Sequence, residues 1–186
     1  MKNPLLDPPF YNTKLMPGRR SALNACLAFV KVPGATAELG VWEGGTSRHI
    51  ALRFPDRTHY AIDTFTGVPN GGGKYGDEDQ RGEHAEMHPG TFDRLNLPNI
   101  KVLKGIFPHE VCPPEDERFA LVHLDADSGE STYNALTYFL PRMNKGGLLL
   151  LDDYGFHRTP GVKMACDEFG LKPVMLEVCQ GLVICE

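Results

Sequence analysis

Hydrophobic and polar positions in this chain follow two rhythms. Short apolar runs at Ala35–Leu39, Thr58–Ile62, Ile100–Leu103, Phe119–Leu124 and Gly147–Leu151 predict strands. Phe119–Leu124 and Gly147–Leu151 are apolar on both faces, as strands buried in a parallel sheet must be. Between the runs, apolar residues recur at helical spacing. Leu23, Cys26, Leu27 and Val30 share one face of a helix that Ser21 can cap and Pro33-Gly34 ends. A second helix runs from Thr46 or Ser47 to Phe54 and a third over Ser131–Met143. A fourth covers Gly161–Phe169, with Val162, Ala165, Cys166 and Phe169 on its apolar face. Two final strands lie near Lys172–Val178 and Leu182–Cys185, and Gly181 between them signals a tight, antiparallel connection. Strand and helix in alternation predict an α/β fold in one domain. Its sheet is mostly parallel with an antiparallel last strand, and helices cover both faces.

Two stretches break the rhythm. Residues 1–19 carry four prolines and little periodicity, which predicts an irregular arm with Pro17-Gly18 as a turn. Such an arm can fold over an active site. Residues 66–90 hold three consecutive glycines and mixed charges, the composition of a mobile loop or substrate lid. His84 and His88 in this loop have the i, i+4 spacing of helical metal ligands. They lack the acidic helper of H-E-x-x-H, and glycine flanks the segment, so a metal role is the weaker reading.

Composition changes the picture mainly by exclusion. The 186 residues are 41% hydrophobic and 23% charged, which suits a soluble domain with an ample core. A formal net charge of −5 argues against general binding to nucleic acid or anionic membranes. No apolar run approaches the ~20 residues of a membrane span. The opening MKNPLLDPPFYN lacks the basic-then-apolar layout of a signal peptide. The five cysteines are odd in number and form no C-x-x-C pair, as expected of reduced thiols in a cytoplasmic protein.

The candidate chemistry centres on Phe119–Tyr154, which reads strand, helix, strand. A right-handed crossover would set its two strands side by side, with ends ~5 Å apart. Asp125 and Asp127 follow the first strand; Asp152 and Asp153 follow the second. Four carboxylates would then crowd at the carboxyl edge of the sheet, where α/β folds bind ligands. Like charges at that spacing need protons or a cation, and a divalent metal is the first reading. The plainer alternative makes Asp127 or Ser128 a helix cap and Asp152-Asp153-Tyr154-Gly155 an ordinary turn.

Upstream, Gly40–Gly45 forms a glycine-bearing turn leading into a helix, whose free N–H groups suit a carboxylate or phosphate. Its pattern is Glu-x-Gly-x-x-x-Gly, so the Gly-x-Gly-x-x-Gly dinucleotide fingerprint does not fit. Asp63 closes the next strand, placed either to accept both ribose hydroxyls or to make a turn before Thr64.

The segments AELGVWEGGTS, AIDTFTGVP, KVLKGIFP, HLDAD with the following EST, GGLLLLDDYGF and PGVKMACDEF occur in that order from about Ala35 to Phe169. Together they resemble class I S-adenosylmethionine-dependent methyltransferases, and more closely the macrocin O-methyltransferase family of natural-product enzymes. The resemblance implies a Rossmann-like sheet of seven strands. It also implies Mg2+-dependent transfer of a methyl group from S-adenosylmethionine to a hydroxyl, often on a sugar. It places Glu38, Gly40, Gly44 and Ser47 in the cofactor loop, and Asp63 on the ribose with Thr64 and Phe65 beside it. Gly105, Ile106 and Phe107 would border the adenine. Asp125, Asp152 and Asp153 match the family's metal ligands, and Asp127 its general base. The implied partner is a small-molecule hydroxyl acceptor, with a homo-oligomer left open. Two departures stand out. Ser128-Gly129 replaces the family's usual Leu-Tyr, removing a large ring near the site. The N-terminus is also short where relatives carry helices that shape the substrate pocket and subunit contacts. His157, four residues beyond Asp153, is either an alternative base or an exposed loop residue. Competing readings are an S-adenosylmethionine-binding protein without catalysis, a nicotinamide oxidoreductase, and, on Asp-x-Asp alone, a metal-dependent phosphatase.

Overall fold

In the computed structural model, which describes residues 17–69, 73–86, 88–176 and 179–186, strands and helices mostly alternate along the chain. They are α1 (Pro17–Phe29), β1 (Ala35–Leu39), α2 (Gly45–Arg53), β2 (His59–Asp63), α3 (Thr91–Leu95) and β3 (Ile100–Lys104). β4 (Phe119–Leu124), α4 (Gly129–Phe139), β5 (Met143–Leu151), α5 (Pro160–Glu168), β6 (Val174–Leu176) and β7 (Gln180–Ile184) complete the chain. The sheet has seven strands in the order β3-β2-β1-β4-β5-β7-β6. β1, β2, β3, β4 and β5 pair in parallel; β7 runs antiparallel to both β5 and β6. Strand order reverses between β1 and β4, so their carboxyl ends flank a crevice of the kind that binds ligands in open α/β sheets.

The alternation of side chains along the strands divides the core. Leu121, Leu148 and Leu150 face Leu23, Cys26 and Leu27 of α1 and Ile50 of α2. Val122, Leu124, Leu149 and Leu151 face Ala135, Leu136 and Phe139 of α4 and Val162, Ala165 and Cys166 of α5. Helices therefore cover both faces, and a fully buried leucine in either layer contributes about 1.5–3 kcal/mol. The thiols of Cys26 and Cys166 lie in these layers, where burial pushes them up to about 11 and about 12. No helix of the described residues is long and apolar enough to cross a membrane.

Several boundaries differ from expectation. α1 already includes Pro17, four residues before the expected cap Ser21, and proline is tolerated in the first turn of a helix. Pro17-Gly18 is thus helical and does not form a turn, and Arg19 joins it; residues 1–16 of the expected arm lie outside the described residues. α4 starts at Gly129 and stops at Phe139, since Pro141 cannot continue the α-helical ladder and sits in a 3-10 turn over Leu140–Arg142. β5 consequently starts at Met143, earlier than the apolar run suggests. The short helix α3 carries no periodic signal and is an addition to the expected elements. The loop over 66–90 is tied to the body: Tyr75, Asp77 and Gln80 are buried. Asp77 accepts bonds from the N–H of Gly129 (2.8 Å) and of Gly161 (2.7 Å), capping α4 and α5 together.

Candidate active site

The site is assembled from strand exits. At the end of β1, Gly40 has φ +88°, and a Cβ there would lie 1.8 Å from the carbonyl oxygen of Asp125. Only glycine allows the exits of β1 and β4 to meet backbone to backbone. The next turn leads through Gly44, in the left-handed region at φ 81°, into α2, whose first residues Gly45 and Thr46 border a cavity. Asp63, at the exit of β2, ties this turn down. One carboxylate oxygen accepts from the N–H of Val41 (2.6 Å) and Trp42 (2.8 Å), the other from the N–H of Phe65 (2.6 Å). Asp63 therefore makes the turn that one reading predicted. A carboxylate has about four lone-pair positions and three are taken here, which leaves capacity for one ribose hydroxyl and not for the two of the other reading.

The cavity measures about 240 Å³ and is lined by Glu38, Gly40, Asp63, Thr64, Gly105 and Phe107 on one side and Asp125, Asp127 and Ser131 on the other. Of the remaining expected cofactor residues, none lines it. Gly44 caps α2. Ser47 is fully buried and donates to Glu38 at 2.5 Å. Phe65 packs on Phe92 with ring centroids 5.3 Å apart. The Ile106 N–H bonds to Glu110 at 2.8 Å.

The acidic edge forms as the crossover required, with β4 and β5 adjacent and parallel. Two sets of side chains each bring three donor atoms within 4.8 Å of one another: Asp125, Asp127 and Asp153, and His123, Asp125 and Asp152. Asp125 belongs to both, whereas Asp152 and Asp153 fall in different sets. Burial, followed by the charges of Asp152, Asp127 and Asp153, holds the Asp125 carboxyl well above the ordinary carboxylate range. Burial and then Asp153 push Asp127 up to about 8. Burial raises Asp152 too, against the opposing charges of His123 and Arg19. Asp127 is not the cap of α4. Ser128 fills that role, accepting from the N–H of Ser131 at 3.2 Å, while Asp127 sits at φ 54°. Trp42, Phe65 and Asp153 share this left-handed conformation, so four strand exits around the cavity hold a non-glycine residue there. Strain of this kind, ~1–3 kcal/mol per residue, persists where surrounding structure imposes it and clusters at functional sites.

Three participants escaped sequence reasoning. Arg19 of α1 reaches across the edge and pairs with both Asp152 and Asp153, the latter at 2.5 Å. Burial works against its charge, yet the two aspartates raise its pKa. Gln180, from β7, donates to the other oxygen of Asp152 at 2.6 Å. His123 is wholly buried beneath the edge, and its Nδ1 lies 2.9 Å from Glu38. Burial opposes its protonation, but Glu38 and Asp152 raise its pKa overall. The only advance signal was His123's place as the polar residue in an otherwise apolar run. His157 is exposed and packs edge-on against Phe156, away from the cavity. His84 and His88 are not on a helix; both rings pack against Trp42, with centroids 4.7 and 5.7 Å away. Gly129 has no room for a ring at its own position: a Cβ there would lie 2.6 Å from Cα of Gly161.

Comparison with known proteins gives a consistent result. The family model described as macrocin O-methyltransferase matches residues 7–175. The tetracenomycin-C rhamnosyl 4'-O-methyltransferase of Streptomyces olivaceus is 32% identical over 142 residues, 66% of this chain and 54% of that protein. Demethyldecarbamoylnovobiocin O-methyltransferase of Streptomyces niveus is 30% identical over 161 residues, 76% of this chain and 60% of that one. The chain thus spans little more than half the length of these relatives. Among solved structures, the O-methyltransferase NovP superposes with a TM-score of 0.75 at 26% identity, covering 90% of this chain and 79% of its own. A calicheamicin methyltransferase shares the fold, with a TM-score of 0.71 at 19% identity, covering 97% of this chain and 88% of its own. Sheet order, strand-exit carboxylates and a match over nearly the whole chain agree, and the protein belongs to the macrocin O-methyltransferase family.

Proposed function

We propose that this protein is an S-adenosylmethionine-dependent O-methyltransferase. It methylates a hydroxyl of a small sugar or sugar-bearing natural product with the help of a divalent cation. The observation that carries this reading is the shared cavity, in which the Gly40 turn, Asp63 and Phe107 face the same space as Asp125 and Asp127. The residues fit the donor: the start of α2 offers N–H groups to its carboxylate, Asp63 accepts from its ribose, and Phe107 gives its adenine an apolar wall. The donor supplies a methyl group already activated on a sulfonium. The chain therefore has to align the acceptor hydroxyl and remove its proton. Asp127 is the base, since its αL backbone brings its carboxylate into the cavity wall beside Asp125.

Asp125, Asp152 and Asp153 would hold the cation, an oxygen donor set of the kind Mg2+ favours. What supports the fit is that Asp125 lies within ligand reach of Asp152 in one set and of Asp153 in another, and that its neighbours' charge raises its pKa even with Arg19 paired to Asp152 and Asp153. When bound, the cation lowers the pKa of an acceptor hydroxyl that touches it. A relative named for methylating a rhamnosyl tetracenomycin points to such an acceptor here. Calorimetry with S-adenosylmethionine, followed by methylation of a panel of rhamnosylated acceptors with Mg2+ or with EDTA, tests the reading. Tight cofactor binding with EDTA-sensitive turnover is expected. Failure to bind the cofactor, or full turnover in EDTA, would overturn it.

A further inference from the structure

The cavity of about 240 Å³ lies below the ~300–1,000 Å³ usual for sites that enclose a ligand, and here donor and acceptor must share it. Part of its wall therefore has to move. The strand exits do not, because a continuous parallel ladder joins β2, β1 and β4. Another part of the lining belongs to no helix or strand. It includes Trp42, on the turn after β1, and His84, on the loop after β2. Both are left-handed, Trp42 at φ 45° and His84 at φ 61°, a conformation that bulky side chains keep only when their surroundings impose it.

What imposes it on Trp42 comes from two sides. Asp63 holds its N–H at 2.8 Å from within the site. From outside, the rings of His84 and His88 pack edge-on against the indole, at interplanar angles of 64° and 80°. His88 Nε2 also lies 3.1 Å from a carboxylate oxygen of Glu43, the next residue of the same turn. The span from His84 to His88 is anchored at its ends. The Glu83 carbonyl accepts from the N–H of Val68 (3.0 Å), and the His88 carbonyl accepts from the N–H and hydroxyl of Thr91 (3.1 and 3.0 Å) at the start of α3. Between the anchors, the two rings and Glu43 hold it to the turn. His84 is exposed and the span forms no helix or strand, the features of a segment that opens locally.

We propose that Trp42 and His84 form the movable wall of the donor site, touching S-adenosylmethionine when it is bound, and that His88 is a positioning residue that latches this wall to Glu43. This rests on the methyltransferase reading above and adds to it how the donor enters and leaves. Entry and release require the imidazole rings to part from the indole, and the seated donor is retained by their return. Asp77 and Gln80 lie outside the span, so their bonds to Gly129, Gly161 and Asp127 persist while it opens.

Trp42 is the single tryptophan of the chain, so its fluorescence follows the wall without a label. Stopped-flow mixing with increasing S-adenosylmethionine should give a Trp42 signal whose rate levels off at the opening rate of the latch. His84→Ala and His88→Ala should each raise that plateau and the release rate by roughly 2–12-fold, the worth of one aromatic pair. Faster entry combined with weaker binding is not what general damage to the fold produces. His84→Phe keeps a ring against Trp42 and should stay close to wild-type rates, which makes the ring contact and not the position the cause. Unchanged rates in both alanine variants, slower association, or a wild-type rate that climbs without levelling would overturn the proposal. Calorimetry with S-adenosylmethionine on the same samples separates the two readings. Donor binding with a silent Trp42 sinks this inference alone, whereas a wild type that binds no donor sinks the methyltransferase reading and this inference with it.

Discussion

Replacing Asp127 by asparagine separates the chemistry of this site from its architecture. Asparagine keeps the shape, tolerates the φ of 54°, and leaves the cap of α4 untouched because Ser128 provides it. What it loses is the ability to take a proton. Losing a positioned base typically costs ~10²–10⁴-fold in rate. With the wild-type carboxyl near 8 in the metal-free protein, only about a tenth is ionised at pH 7, so any turnover there should rise with pH and level off above about 8. Stability moves the other way. The folded pKa lies above the unfolded value of ~3.9, so this group's contribution is complete below pH 4 and is lost as pH rises through about 8. Asparagine resembles the protonated acid at every pH and escapes that loss. A tenfold difference in proton affinity between folded and unfolded chain is worth about 1.4 kcal/mol. Even a hundredfold difference makes about 3 kcal/mol, or roughly 6–12 °C in a domain of this size. Single-turnover methylation at saturating donor and cation, with melting curves in EDTA at pH 5 and pH 8, tests both arms. Asp127→Asn should be slow, and its stability relative to wild type should be greater at pH 8 than at pH 5. Turnover within a few-fold of wild type, or an equal stability change at both pH values, would refute the assignment.

Three further outcomes follow from the geometry. Arg19→Gln removes the cation shared by Asp152 and Asp153 and should cost about 3 kcal/mol in EDTA, with much of the melting temperature regained on adding a divalent ion; equal losses with and without the ion would contradict this. Asp63→Ala frees the N–H groups of Val41, Trp42 and Phe65, so calorimetry should show S-adenosylmethionine binding weakened by about 1.5–3 kcal/mol, alongside a lower melting temperature. Gly129→Ala drives a methyl to 2.6 Å from Gly161 and should destabilise by about 1–3 kcal/mol in denaturant titrations.

The sequence showed faces and ends well and partners poorly. β4, α4 and β5 were legible because buried strands need apolar residues on both faces, and Asp125, Asp127, Asp152 and Asp153 were legible because they stop those runs. Arg19 was not, because its partner Asp152 is 133 positions away and no local pattern links them. Pro17-Gly18 misled in the same region, since the pair reads as a turn although the structure has it in a helix. His123 was hidden for the opposite reason: the run around it is so apolar that one polar member does not alter its period. Gly129 looked like an absent ring, and only the approach of Gly161 shows why nothing larger than hydrogen fits.

The grip of Asp77 on two helices has a consequence for how the protein opens. Its carboxylate holds the first N–H groups of α4 and α5, and Gln80, three residues on, donates to the carbonyl of Asp127 at 3.0 Å. Lifting this loop would therefore expose both helix starts and release the Asp127 peptide in the same event. Loop and helix ends are then expected to open together, so the amides of Gly129 and Gly161 should exchange with solvent at a common rate. If Asp127 is the base, as proposed, access to the cavity by this route is tied to loosening its peptide.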